Sequence, residues 1–167
     1  MLIEDATLQQ IRGQVIDILL VEDNPGDIEL TQQALSHSEM GVSNRLFVVT
    51  DGEKALKFLR RQGEYAEAVK PDIILLDLNL PKIGGIDVLK IIKAEPRLRA
   101  IPVVVLTSSA AERDIVDAYS LHANCYLTKP IELIDFTRMI LAIKNFWLSS
   151  ARLPIDFKRV ESPGVSG

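Results

Sequence analysis

Four short apolar runs constrain this chain more than any other feature: Val15 to Val21, Leu46 to Val49, Ile73 to Leu76 and Val103 to Leu106, with a weaker fifth at Ala123 to Leu127. Each has the length of a strand, and they carry Ile, Val and Leu without steady polar alternation. Strands of that kind have to be covered on both faces, which calls for a parallel sheet between two helix layers. The intervening segments space their apolar residues as helices do: Asp27 to Leu35, Glu53 to Arg61, Ile86 to Lys93, Glu112 to Leu121, and a longer one from Leu133 to Leu148. Strand and helix therefore alternate through the chain. With right-handed crossovers this predicts an α/β fold, a doubly wound five-stranded parallel sheet. Asn24 is placed to cap the first helix, Pro25 suits its first turn, and Gly52 follows the Thr50-Asp51 end of the second strand.

A chain of 167 residues, 47% of them hydrophobic, can bury one sizeable core but hardly two. The expected division is an N-terminal arm over 1–14, a folded domain over 15–150 and a flexible C-terminal tail over 151–167. In the arm, Leu2, Ile3, Leu8 and Ile11 suit either a short docked helix or a frayed end, and Pro154, Pro163, Gly164 and Gly167 give the tail a composition that cannot bury enough to order itself. The start, Met1 to Asp5, lacks the basic and apolar regions of a leader, and no window approaches the roughly 18 apolar residues of a membrane span.

The formal charge of −4 offers no long-range attraction for nucleic acid and disfavours anionic membranes. Lys57 with Arg60 and Arg61, and Arg97 with Arg99, are interleaved with acids and read as solvated helix faces. Neither nucleic acid nor membrane is an expected partner. Cys125, the single cysteine, excludes an intramolecular disulfide and a cysteine-rich zinc site, fits a cytoplasmic location and is expected in the core. His37 and His122 fall away from strand carboxyl ends and receive no role. The connection 62–71, with Tyr65 and Pro71, has a length that often serves function.

In a doubly wound sheet, ligands bind at the carboxyl ends of the strands. The first strand ends Glu22-Asp23, the third Asp77, the fourth Thr107, and the fifth runs Tyr126-Leu127-Thr128-Lys129-Pro130. Each residue has an ordinary reading. Asp23 and Thr107 can cap helices, with Ser108 and Ser109 equally placed, and Lys129-Pro130 can form a surface turn, where the X-Pro bond is a candidate cis peptide. Their joint arrival at one edge is less ordinary. Closely packed carboxylates repel unless a cation joins them or some stay protonated. A set without His or Cys suits a hard ion such as Mg²⁺ better than zinc. With Mg²⁺ and Lys129 supplying positive charge from two sides, Asp77 can attack a phosphoryl group, Thr107 can hydrogen-bond the product, and Tyr126 can follow Thr107.

These residues, in this order, make the chain resemble bacterial response-regulator receiver domains over Ile16 to Leu148. The resemblance implies strand order 2-1-3-4-5 in a flavodoxin-like sheet. It makes Asp77 the phosphoacceptor, Asp23 a direct Mg²⁺ ligand, Glu22 a more indirect one, and Asn79 a ligand through its backbone carbonyl. Thr107, Tyr126 and Lys129 become switch and phosphate contacts, and the phosphoryl donor a phosphohistidine on a sensor histidine kinase. Val21 to Asp27, Asp77 to Lys82, the long loop before Pro71 and Phe146-Trp147-Leu148 are similar to the small regulators that partner bacterial phytochrome kinases. Two positions depart from the family pattern: Glu22 is longer than the Asp many receivers carry, and Gly84 replaces an acidic or amide residue.

On this reading the chain is a phosphorylation switch rather than an enzyme. No effector segment is expected after Leu148, so output is expected as a change in association. The predicted fifth helix is apolar on more than one face, which predicts a homodimer through Phe136, Ile140, Ile143, Phe146 and Trp147. Two other functions compete. A phosphatase of the haloacid-dehalogenase type also uses a Mg²⁺-bound Asp, but it needs an acid where this chain has Asn79. A receiver-shaped adaptor would bind a partner without phosphorylation, and the intact acidic set argues against it.

Overall fold

Alternation along the strands divides the core into two apolar layers. Leu19, Val21, Ile74, Leu76, Val103 and Val105 point into one, and Ile18, Leu20, Ile73, Leu75, Val104 and Leu106 into the other. The computed structural model describes residues 15–36 and 43–154. The 1–14 arm, His37 and the tail from 155 onward lie outside the described residues. The strands are β1 (Val15–Val21), β2 (Ser43–Val49), β3 (Ile73–Leu76), β4 (Val103–Thr107) and β5 (Cys125–Thr128). They form one parallel sheet in the order β2-β1-β3-β4-β5, as expected.

The helices are α1 (Pro25–Ser36), α2 (Gly52–Leu59), α3 (Gly85–Ala94), α4 (Glu112–Ser120) and α5 (Leu133–Ile143). Buried residues of α2, α3 and α4, such as Leu56, Leu89 and Ala118, cover the first layer. Leu35 of α1 and Phe136, Ile140 and Ile143 of α5 cover the second. Asn24 caps α1, its Oδ1 accepting from Asp27 N–H at 3.1 Å, and Asp51 caps α2 through Lys54 N–H at 2.7 Å. Both caps satisfy amides that a helix start leaves unpaired. No described helix is long and apolar enough to cross a membrane.

Several expectations need correction. β2 begins at Ser43, three residues before the apolar run at Leu46, and pairs with the full length of β1. It is an edge strand, where polar residues are tolerated. Arg45 there donates to both carboxylate oxygens of buried Asp17 at 2.7 and 3.0 Å, and Asn44 to the Leu35 carbonyl at 3.0 Å. The connection 62–71 holds a short 3₁₀ turn, Gly63–Tyr65, that packs Tyr65 against Phe58 with the rings tilted and 5.5 Å between centroids, so its tyrosine is a packing residue. Cys125 is half-buried in β5, and His122 is exposed.

The α-helical part of the last helix ends at Ile143 and continues as a π-helical segment, Lys144–Ser150. Of the residues assigned to a partner interface, Phe136, Ile140 and Ile143 face this protein's own sheet. Their spacing of four and three residues stacks them on one helix face, and that face is the one the sheet needs covered. Trp147 is half-buried against the same layer, and Phe146 is exposed. The Lys129–Pro130 bond is trans, not cis. Trans is the favoured form of an X-Pro bond, and with it the lysine already reaches its partners at the strand ends.

One glycine ties the fold to the strand-end loops. A Cβ on Gly85, at the start of α3, would lie 2.3 Å from the Asp77 carbonyl oxygen and 2.5 Å from the Leu78 Cα, whereas one on Gly84 meets nothing within 4 Å. Gly85→Ala therefore has to push the backbone at the end of β3, and should lower unfolding free energy by about 2 kcal/mol or more. Gly84→Ala should stay within about 0.5 kcal/mol of wild type. Urea unfolding of the two variants checks this.

Candidate functional site

Parallel pairing in register brings the polar strand ends together. Val21 pairs with both Val49 and Leu76, so the next residues, Glu22 and Asp77, emerge side by side. Glu22 N–H donates to the Val49 carbonyl and Asp77 N–H to the Val21 carbonyl, each at 3.0 Å, which fixes where both side chains start. Thr107 pairs with Thr128, and Lys129 N–H donates to the Thr107 carbonyl at 2.7 Å. The lysine therefore leaves β5 beside the end of β4.

Oxygens of Glu22, Asp23 and Asp77 lie within 4.8 Å of one another. Glu22 and Asp77 are buried and Asp23 is exposed, so the trio opens to solvent on one side. The Lys129 ammonium stands against them, 2.5 Å from Glu22 Oε2, 3.1 Å from Asp77 Oδ2 and 2.9 Å from Asp27 Oδ2. Asn79 N–H donates to Asp77 Oδ1 at 3.1 Å, and its side-chain amide reaches Ser108 Oγ at 3.4 Å and Thr107 Oγ1 at 3.5 Å. Tyr126 stands farther out. Its hydroxyl donates to the Ser109 carbonyl at 2.8 Å, tying it to the loop after β4.

The electrostatics follow from burial. Burial pushes the Glu22 carboxyl up to about 7, with the Asp77 charge acting in the same direction and Lys129 opposing it. Burial also disfavours the charge on Lys129, but hydrogen bonds to Glu22 and Asp27 and the charges of Glu22 and Asp77 outweigh it and hold its pKa above the usual lysine range. Burial raises the Tyr126 hydroxyl and the Cys125 thiol, so neither is disposed to ionise.

Three oxygen donors with no His or Cys among them suit a hard divalent cation. A cation there would meet the demand of the buried acids in place of a proton. Glu22, Asp23, Asp77 and Lys129 thus come together as the sequence suggests, with Asn79 and Thr107 on their rim. Asp27 is the residue the sequence does not single out. Acids are common in the first turn of a helix, where they complement its dipole, so nothing in Asp27's position marks it as reaching across to β5.

Folded, Glu22 holds a proton between about pH 4.5 and 7 that the unfolded chain releases near 4.5. Its contribution to stability is therefore present at low pH and lost as pH rises towards 7. Without divalent cation, wild type should lose thermal stability relative to Glu22→Gln between pH 5 and 8. The stabilisation that Mg²⁺ confers on wild type should grow over the same interval. Thermal melts with EDTA and with Mg²⁺ check both.

Comparison with known proteins places this geometry among relatives. Residues 18–141 match the family model described as response regulator receiver domain. Over 137 residues the chain is 48% identical to response regulator Rcp1 of Synechocystis sp., covering 82% of this chain and 92% of that one. It superposes on the phosphorylated cyanobacterial phytochrome response regulator RcpA with a TM-score of 0.81, at 48% identity, covering 85% of this chain and all of the other. The Mn²⁺-bound form of Rcp1 also superposes with a TM-score of 0.81, at 47% identity over 84% of this chain and 99% of its own.

Proposed function

The chain belongs to the response-regulator receiver domain family, a family of two-component signalling, and from that premise we propose that it accepts a phosphoryl group on Asp77 from a sensor histidine kinase. The observation that carries this is the placement of the Lys129 ammonium 3.1 Å from the buried Asp77 carboxylate, beside the oxygens of Glu22 and Asp23. One Asp77 oxygen attacks phosphorus as the bond from phosphorus to the donor nitrogen breaks, and the electron pair of that bond leaves on the imidazole. Asp23 and Asp77, with Glu22 less directly and the Asn79 carbonyl, would hold Mg²⁺, which would supply charge neutralisation when bound. Lys129 neutralises the phosphoryl oxygens from the opposite side. Thr107, at the end of β4, donates its hydroxyl to the new group, and Tyr126 follows that movement through the loop it grips at Ser109.

The domain on this reading spans residues 15–150 and acts as a switch without turnover of an external substrate. The likeness to a phytochrome response regulator supports a kinase of the phytochrome type. Output is a change in association, with a homodimer along the last helix. Leu133, Ile134 and Phe146 leave 67%, 62% and 57% of their surface exposed, which favours these positions over the buried Phe136, Ile140 and Ile143. Sedimentation equilibrium should show dimer once beryllofluoride occupies the site; monomer alone, with and without it, rejects the homodimer.

Incubation with acetyl phosphate and Mg²⁺ should add the mass of one phosphoryl group to wild type, and none with EDTA or in Asp77→Asn. If wild type gains no mass and beryllofluoride also fails to bind, a phosphorylation-independent adaptor becomes the better description.

A further inference from the structure

Asp27 lies outside the converging carboxylates, yet it grips the same ammonium they do. The first turn of α1 sets its position. Its N–H is capped by Asn24, and its carbonyl accepts from the Thr31 hydroxyl at 2.7 Å. Its Oδ2 stands 2.9 Å from Lys129 Nζ, no farther than Asp77 Oδ2 at 3.1 Å. Among the described residues, the acids whose oxygens converge on a possible cation site are Glu22, Asp23 and Asp77, and Asp27 is not one of them. The ammonium has three protons to donate. Two go to acids that a cation would share, and the third goes to one that it would not.

We propose that Asp27 is a positioning residue that keeps the Lys129 ammonium aimed at Asp77 while Glu22 and Asp77 share their oxygens with a divalent cation. The inference rests on the phosphoacceptor reading only in taking Lys129 to meet the phosphoryl group. Glu22 and Asp77 pull less on Lys129 when a cation draws on the same carboxylates. The lysine side chain is 8% exposed, so an ammonium without a remaining anion would be driven to swing out to water on its flexible stem. Asp27, 25% exposed, sits on the capped start of a helix. It need not let go as the reaction proceeds, because one ammonium can donate to Asp27 and to a phosphoryl oxygen together. The lysine is then oriented before the phosphoryl donor arrives.

Asp27→Ala, Asp27→Asn and Asp27→Glu in the full chain test this by two readouts. The first uses Mg²⁺ alone: the ¹⁵N-lysine ammonium resonance of Lys129, assigned by its loss in Lys129→Arg, should stay protected from exchange in wild type and Asp27→Glu at saturating Mg²⁺. It should broaden away in Asp27→Ala and Asp27→Asn. The second is phosphorylation by acetyl phosphate at saturating Mg²⁺, whose rate should fall about tenfold in Asp27→Ala and recover in Asp27→Glu. A protected Lys129 resonance in Asp27→Ala, or a rate equal to or above wild type, overturns the proposal. So does a change confined to melting temperature, which would make Asp27 a helix-start residue and nothing more. If wild type takes up no phosphoryl group and binds no beryllofluoride while the resonance still follows Asp27, the phosphoacceptor reading fails and the positioning role stands.

Discussion

A parallel sheet buried on both faces leaves its ends as the one place where charged chemistry can sit, and everything else in this protein follows from that constraint. Leu19, Val21, Ile74 and Leu76 fill one layer, while Leu20, Ile73 and Leu75 fill the other. Between those layers an unpaired charge would cost several kcal/mol, on the order of what a whole domain has to spare. Register then decides what meets at the carboxyl edge. Because Val21 lies opposite Leu76, Glu22 and Asp77 are forced into each other's company.

Two buried acids in that position have to be answered by positive charge or by a proton. Lys129 supplies the first and is itself stabilised as an ammonium by the acids it serves. The answer is incomplete, since Glu22 remains half-inclined to hold a proton near neutral pH. An edge with that residual demand is suited to receive a hard cation, and the same imbalance that costs the metal-free protein stability becomes cation affinity. Stability and function thus draw on one set of charges. Gly85 serves the same site from behind, letting α3 start in contact with the backbone of Asp77 and Leu78.

Much of this was legible in the sequence because it depends on local composition. Runs of aliphatic residues announce doubly covered strands, and the residue after each run announces the edge. Glu22, Asp23, Asp77, Thr107 and Lys129 are recognisable for that reason. Ser43 to Arg45 were not recognisable as strand, because an edge strand does not need apolar residues on its open side. Sequence alone places Phe136, Ile140 and Ile143 at an interface, because a helix apolar on several faces does not say which face its own sheet will claim. Asp27 is not marked by the sequence because its partner is a lysine 102 residues away.

The sequence by itself determined the alternation of strands and helices, the apolar character of both layers and the identity of the acids, hydroxyl and ammonium at the strand ends. These are properties of residue type and spacing, which hydrophobic burial and backbone geometry translate directly. Only the tertiary structure decided which carboxylates share Lys129, that Asp27 is among them, that the Lys129–Pro130 bond is trans and that α5 turns Phe136, Ile140 and Ile143 to the sheet. Those outcomes depend on register and on the direction in which side chains from distant elements approach one another, and neither is encoded in any one stretch of chain.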